Sequence, residues 1–307
     1  MRRDLTWLVA LGASLWGTSA LLREPLARGL DAPTVVFFEH LALVLFVSPF
    51  LPAALRAWAS SSARTRAATV IIGAGSSALA TTLFTAAFQF GDPITPQVLQ
   101  KLQPLLAILL AVVILGERLR PKFAFFAIPA LIGAWLLTFA EPFNVGISDA
   151  QAALFALGAA ALWAAGTVLG RLVDQELGAR NTLVLRFAFG LPATLLIVLV
   201  TGSGWTMPIS LAPTLIGLAL IPGLLALTFY YIGLRRTPAS RATFAELFFP
   251  VTAAIVGVTL LDASMTPSRW LGMFIVIASV TALAWHEQKS DKPAVIAPNA
   301  PTELSNA

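Results

Sequence analysis

Five ionisable side chains stand inside stretches that are otherwise apolar: Glu39, His40, Lys101, Arg186 and Glu246. A charge surrounded by hydrocarbon costs about 2.5–3.5 kcal/mol on the insertion scale, so each must be compensated or put to use. Two kinds of chemistry fit acids and bases held this way. Opposite charges can pair, which offsets part of their desolvation and ties helices together. The candidate pairs are Glu39 with Lys101 and Arg186 with Glu246. Alternatively, Glu39 or Glu246 carries a coupling proton, or the His40 imidazole titrates during a transport cycle. Pairing is the simpler reading, because a lone charge at that depth is hard to sustain.

A second group of residues could form a binding surface. Gln97, Gln100, Lys101 and Pro104 follow helical spacing and share one face, and Thr243, Glu246, Leu247 and Pro250 make a matching one. Lipid cannot satisfy amides, so these faces turn towards protein or water, either lining a cavity or joining helices by hydrogen bonds. Trp16 and Trp163 lie near the middle of apolar stretches beside small residues, which permit close helix approach. With Phe84, Phe88, Tyr230 and Phe244 they could wall an apolar chamber, to which Tyr231, Gln97 and Thr243 would add polar groups. Ordinary ring packing is the competing reading. Such a chamber suits an amino acid with a large side chain or a lipophilic drug. It suits a phosphorylated solute poorly, since that would call for more inward-facing Arg and Lys. Pro104 and Pro250 remove a helical hydrogen bond and can act as hinges or as static bends. Pro129, Pro192 and Pro222 also fall inside helical stretches.

The elements that must position these residues are membrane spans. Of 307 residues, 58% are hydrophobic and 11% charged, which excludes a water-facing surface. Hydropathy, broken at Gly, Pro and charge clusters, predicts ten spans near 5–22, 33–55, 67–90, 95–115, 121–140, 150–170, 181–201, 211–234, 239–261 and 267–285. With the amino terminus in the cytoplasm, fifteen Lys and Arg fall inside and three, Arg23, Arg28 and Arg269, fall outside. Both termini are therefore expected in the cytoplasm. The net charge of +5 follows from that bias and gives no reason to expect nucleic acid as a partner. The first span has a later counterpart, so it reads as a helix and not as a signal peptide. Residues 287–307 read as a disordered cytoplasmic tail. With no cysteine, thiol catalysis, disulfides and thiolate metal sites are excluded, and no metal or cofactor is expected.

Sliding the second half onto the first by 146 or 147 positions brings Trp163 onto Trp16, Pro250 onto Pro104 and Pro267 onto Pro121. Phe84 then meets Tyr230, Thr85 meets Tyr231, and Glu39 meets Arg186. Five helices per half is an odd number, so the second half enters from the opposite face. The expected fold is an all-α membrane protein of ten helices in two inverted repeats, 5–140 and 150–286, with a solute site near the midplane. The small-residue runs ending in Trp16 and Trp163, and the stretch from Leu102-Gln103-Pro104 to Leu115-Gly116-Glu117-Arg118-Leu119, carry a resemblance. The chain resembles the drug/metabolite transporter superfamily in its ten-helix form with two EamA-type domains. Phe249-Pro250 through Leu261-Asp262 departs from the pattern by lacking the Glu. Within the superfamily the chain looks most like aromatic amino-acid exporters of bacterial inner membranes. The resemblance implies a multi-pass inner-membrane secondary transporter that moves amino acids outward by alternating access, with multidrug or metabolite efflux as the alternative. The partners are then a small-molecule solute and the lipid bilayer, and the oligomeric state stays open. An intramembrane enzyme is disfavoured, because His286 sits at a span end and no span holds an Asp at depth. The inverted arrangement requires tags in residues 23–32 and 171–180 to react from opposite faces of intact cells; labelling of both from one face would rule it out.

Overall fold

The computed structural model describes residues 5–90, 92–103, 105–106, 109–110, 123–139, 146–234, 245 and 248–289. Pro104, the 115–119 stretch, Thr243, Phe244, Glu246 and the tail beyond Lys289 lie outside these residues, as does the side chain of Tyr231.

The chain is an all-helical multi-pass membrane protein, with no strand among the described residues. Helix α1 (Thr6–Gly17) and α2 (Ser19–Gly29) are separated only by Thr18, whose hydroxyl donates to the Leu15 carbonyl at 2.7 Å. The helical path then runs on past the expected end at 22 and through Pro25. Helix α3 (Ala32–Val47) starts with a proline in its first turn, where no N–H is needed, and leads through a short 3-10 turn into α4 (Leu51–Ala59). Helix α5 (Ala63–Ile71) is capped by Ser62, whose Oγ accepts from Thr65 N at 3.2 Å. It passes through a π-helical segment, Ile72–Leu79, into α6 (Ala80–Ala87). Asp92 caps α7 (Ile94–Leu99), accepting from Ile94 N and Thr95 N at 2.9 Å each. Next come α8 (Phe123–Thr138) and α9 (Ile147–Thr201). Fifty-five residues of straight helix would be about 80 Å long, far more than one bilayer. Gly178 breaks it with φ 74° and ψ 153°, a conformation open to glycine alone, so α9 supplies two spans. Helix α10 (Ala212–Leu218) enters a second π-helical segment, Ala219–Leu225, and leaves as α11 (Ala226–Leu234). Helices α12 (Phe248–Leu260) and α13 (Pro267–Lys289) complete the order, and α13 carries helix three residues into the expected tail.

Five stretches are long and apolar enough to cross a bilayer: 32–59, 63–87, 147–170, 172–201 and 209–230. Shorter apolar helices occupy 123–138, 248–260 and 267–283. Five expected spans fall short of that length. Thr18 divides the first, parts of 95–115, 121–140 and 239–261 lie outside the described residues, and the apolar part of the last is the shorter stretch 267–283. Leu131 (61% exposed), Val200 (78%) and Trp135 beside Phe139 turn outward, and an apolar surface of this kind is matched by lipid.

Inside, small residues let helices cross closely. Gly12 of α1 faces Ala226 and Tyr230 of α11, and Gly17 faces Phe249 and Ala253 of α12. The first stretch of α9 lies against the first half of the chain: Gly158 faces Leu83 of α6, and Gly166 faces Ser76 of the first π segment. Helices α8 and α13 meet at Gly133 and Gly272, where a Cβ on Gly272 would stand 2.4 Å from Leu137 N. Gly272→Leu is therefore expected to destabilise the protein by about 1–3 kcal/mol, read as a lower melting temperature in detergent. Gly170→Leu, at a position with nothing within 4 Å, should leave it within about 0.5 kcal/mol.

Candidate functional site

Because α2 extends beyond its expected end, it carries Arg23 into the interior. The Arg23 guanidinium grips the Glu39 carboxylate of α3 with two hydrogen bonds, 2.9 Å from Nη1 and 2.8 Å from Nη2. Nη1 also donates to Thr85 Oγ1 of α6 at 2.6 Å. Arg23 and Glu39 are 6% and 5% exposed, so the pair is buried. A planar guanidinium facing a carboxylate through two parallel bonds is the strong geometry for such a pair. This corrects the expected Glu39–Lys101 pair. Lys101, on the turn after α7, places its Nζ 4.5 Å from the ring centre of Phe249. Arg23 and Arg269, which the hydropathy reading leaves outside the core of the spans, are both buried. Arg269 is buried, 3.5 Å from Asp92 and 3.8 Å from Asp149, and donates to the Ser264 and Thr138 carbonyls. Only Arg28 of the three is exposed.

The remaining candidates divide between polar joints and ring contacts. His40 is 2% exposed, with Nδ1 2.9 Å from the Val36 carbonyl and Nε2 2.9 Å from Ser77 Oγ. Arg186 Nη2 donates to the Ser76 carbonyl at 3.2 Å, and its expected pairing with Glu246 falls outside the described residues. Gln97 is fully buried, accepting from Ser19 Oγ at 3.2 Å and donating to the Pro93 carbonyl at 3.3 Å. Trp16 packs on Tyr230 with ring centres 4.9 Å apart, and Trp163 packs on Phe84 at 5.1 Å, with Phe88 edge-on to Phe84 at 5.2 Å. The six-ring wall is thus seen as two ring groups, with Phe244 outside the described residues. Pro250 is buried in the first described turn of α12.

The two groups the sequence reading missed are Arg23 and Ser19. Arg23-Glu24-Pro25 reads locally as the end of a span, which hides the buried cation. The available signal was Glu39 itself. A buried carboxylate needs a cation, and Arg28 and Arg23 are the two nearest along the chain, of which Arg28 pairs with Glu24 and Arg23 reaches Glu39.

The sequence profile of the EamA-like transporter family matches the chain twice, over residues 5–139 and 150–285. Riboflavin transporter ImpX of Fusobacterium nucleatum subsp. nucleatum is 28% identical over 291 residues, covering 90% of this chain and 96% of that protein. Uncharacterized transporter YwfM of Bacillus subtilis is 31% identical over 187 residues, 59% of this chain and 60% of that one. A solved crystal structure superposes with a TM-score of 0.60 at 18% identity, over 94% of this chain and 99% of the other. At that identity the likeness speaks to the fold alone.

The buried pair makes a signed prediction. Arg23→Met leaves Glu39 uncompensated and should cost about 3–5 kcal/mol of stability, whereas Arg23→Met/Glu39→Met should recover most of it. Melting of the purified variants measures this, and equal losses in the single and double variants would contradict it.

Proposed function

The chain belongs to the EamA-like transporter family, and from that premise we propose that it is a secondary transporter of planar, ring-bearing metabolites. In this reading ten spans form two inverted five-helix repeats, both termini face the cytoplasm, and the protein sits in the bacterial inner membrane. The solute passes between the halves by alternating access, with α5–α6, α7, α10–α11 and α12 as the moving central set.

The observation that carries the reading is the pairing of rings. Trp163 lies 147 residues after Trp16 and Tyr230 lies 146 after Phe84, so the Trp16–Tyr230 and Trp163–Phe84 contacts correspond, and each places a tryptophan of one half on a ring of the other. Two such contacts can part to admit a flat ring between aromatic faces, a geometry worth about 0.5–1.5 kcal/mol per contact beyond burial. The relative that covers nine-tenths of this chain is named a riboflavin transporter, and riboflavin is a flat tricycle, so it is the first solute to test. Aromatic or other large neutral amino acids, moved outward, are the second reading. It is favoured by the buried Arg23–Glu39 pair, whose opposite charges match a carboxylate and an ammonium. Neither relative named above is described as an amino-acid exporter.

Counterflow in proteoliposomes with labelled riboflavin, tryptophan and a lipophilic cation separates flavin transport, amino-acid transport and multidrug efflux. Riboflavin is expected to exchange, and Trp16→Ala and Trp163→Ala should each weaken the apparent affinity about two- to tenfold. Failure of every ring-bearing solute to exchange would sink the reading.

A further inference from the structure

Between the membrane face and the rings of α6 and α9 lies a continuous series of polar groups. A cleft of about 310 Å³ opens at one end of α2, lined by Ala27, Leu30, Asp31, Thr34, Gln89 and Gly204 among others. Ala27 follows Arg23 by four residues in α2, and Gln89 follows Thr85 by four just beyond α6, so the cleft lies about 6 Å, one helical turn, from the charged pair. Its inner side is closed by Gln89 Nε2, which donates to the carbonyls of Ala27 and Leu30 at 3.0 and 3.2 Å. Further in, the Arg23 guanidinium lies over the Phe84 ring, 5.8 Å from its centre, and Phe84 packs on Trp163. The order is cleft, then charged pair, then rings.

The pair is also incompletely used by the protein. Arg23 Nε is buried and has no hydrogen-bond partner among the described residues. The Nε groups of Arg186 and Arg269 are buried in the same way, and Arg23 is the one of the three whose guanidinium lies over Phe84. The remaining Nε–H, beside an acceptor carboxylate and a hydroxyl, can donate to a solute hydroxyl that in turn donates to an acceptor.

We propose that Arg23, held by Glu39 and Thr85, is the polar recognition group of the solute path and engages the polyhydroxylated chain of a solute whose flat ring docks at Phe84 and Trp163. This rests on the ring-bearing solute reading above and adds to it the second half of the ligand. The seam between α2 and α6 must part for the contact to form, and the Gln89 tether is the part nearest the cleft.

The test compares two flavins that share a ring: riboflavin, with its hydroxylated side chain, and lumiflavin, with a methyl group there. Binding to the purified protein is followed by quenching of flavin fluorescence. The wild type is expected to prefer riboflavin by about tenfold or more, the worth of one hydrogen bond to a charged group. In Arg23→Met/Glu39→Met the preference should fall to within about twofold while lumiflavin affinity is kept. Arg23→Lys, which keeps the charge but not the planar fork, should lose most of the preference and serves if the double variant does not fold. Both flavins binding with the preference unchanged in the variants, or with none in the wild type, overturns the role of Arg23 and leaves the ring reading standing. Neither flavin binding to the wild type overturns the flavin reading and this inference with it.

Discussion

A hydrogen-bonding group inside a bilayer has no water to turn to, and the interior of this protein is arranged around that constraint. Arg23 and Glu39 satisfy one another and draw in Thr85. Thr69, Thr82, Thr85 and Thr138 each return their hydroxyl to the carbonyl one turn earlier. Three such obligations meet at the π-helical segment Ile72–Leu79. An i→i+5 stretch loosens the backbone ladder and offers groups to side chains. Here the Ser76 carbonyl accepts from Arg186, Ser76 Oγ donates to the Leu162 carbonyl, and Ser77 Oγ holds His40. One segment thereby joins α3 to both stretches of α9. His40 and Arg186, which look in sequence like candidates for titration and pairing, are engaged at this joint.

The second organising fact is that the first helix of each half packs on helices of the other half. Helix α1 lies on α11 and α12, and the first stretch of α9 lies on α6 and the first π segment. Glycines at 12, 17, 158 and 166 make the crossings close enough for a tryptophan from each to reach a ring on the other side. The π segments at Ile72–Leu79 and Ala219–Leu225 occupy positions one repeat offset apart, and each interrupts the helix that carries a ring partner. A wider, looser turn beneath Phe84 and Tyr230 is a natural place for these helices to flex.

Much of this was legible in the sequence, and the parts that were not share a cause. Apolar run length located the five stretches long and apolar enough to cross a bilayer, because hydrocarbon thickness sets a length that any sequence must meet. The offset that matched Trp16 with Trp163 also matched Phe84 with Tyr230, though nothing in the spacing said which tryptophan would meet which ring. The break between the two spans of α9 was placed near 170–181, and Gly178 supplies it. Arg23 was misplaced because Arg-Glu-Pro reads locally as a span end, whereas its burial depends on Glu39 and Thr85, far away along the chain. Glu39 was recognised as needing a cation but matched to Lys101 by depth alone. Depth cannot say which way a side chain points around its helix. The π segments left no mark in hydropathy, since they alter hydrogen-bond register and not composition.

In the proposed transport cycle the polar seam between α2 and α6 parts for solute to pass. The native chain has no cysteine, so a single engineered bridge can be read cleanly. Beside this seam Ser19 of α2 touches Gln97 of α7 at 3.2 Å, and a reducible bifunctional thiol reagent on Ser19→Cys/Gln97→Cys would tether α2 in place. Solute exchange in proteoliposomes, measured before and after cross-linking, is expected to stop when the bridge forms and to return on reduction. Undiminished exchange with the bridge shown to be complete would contradict the claim.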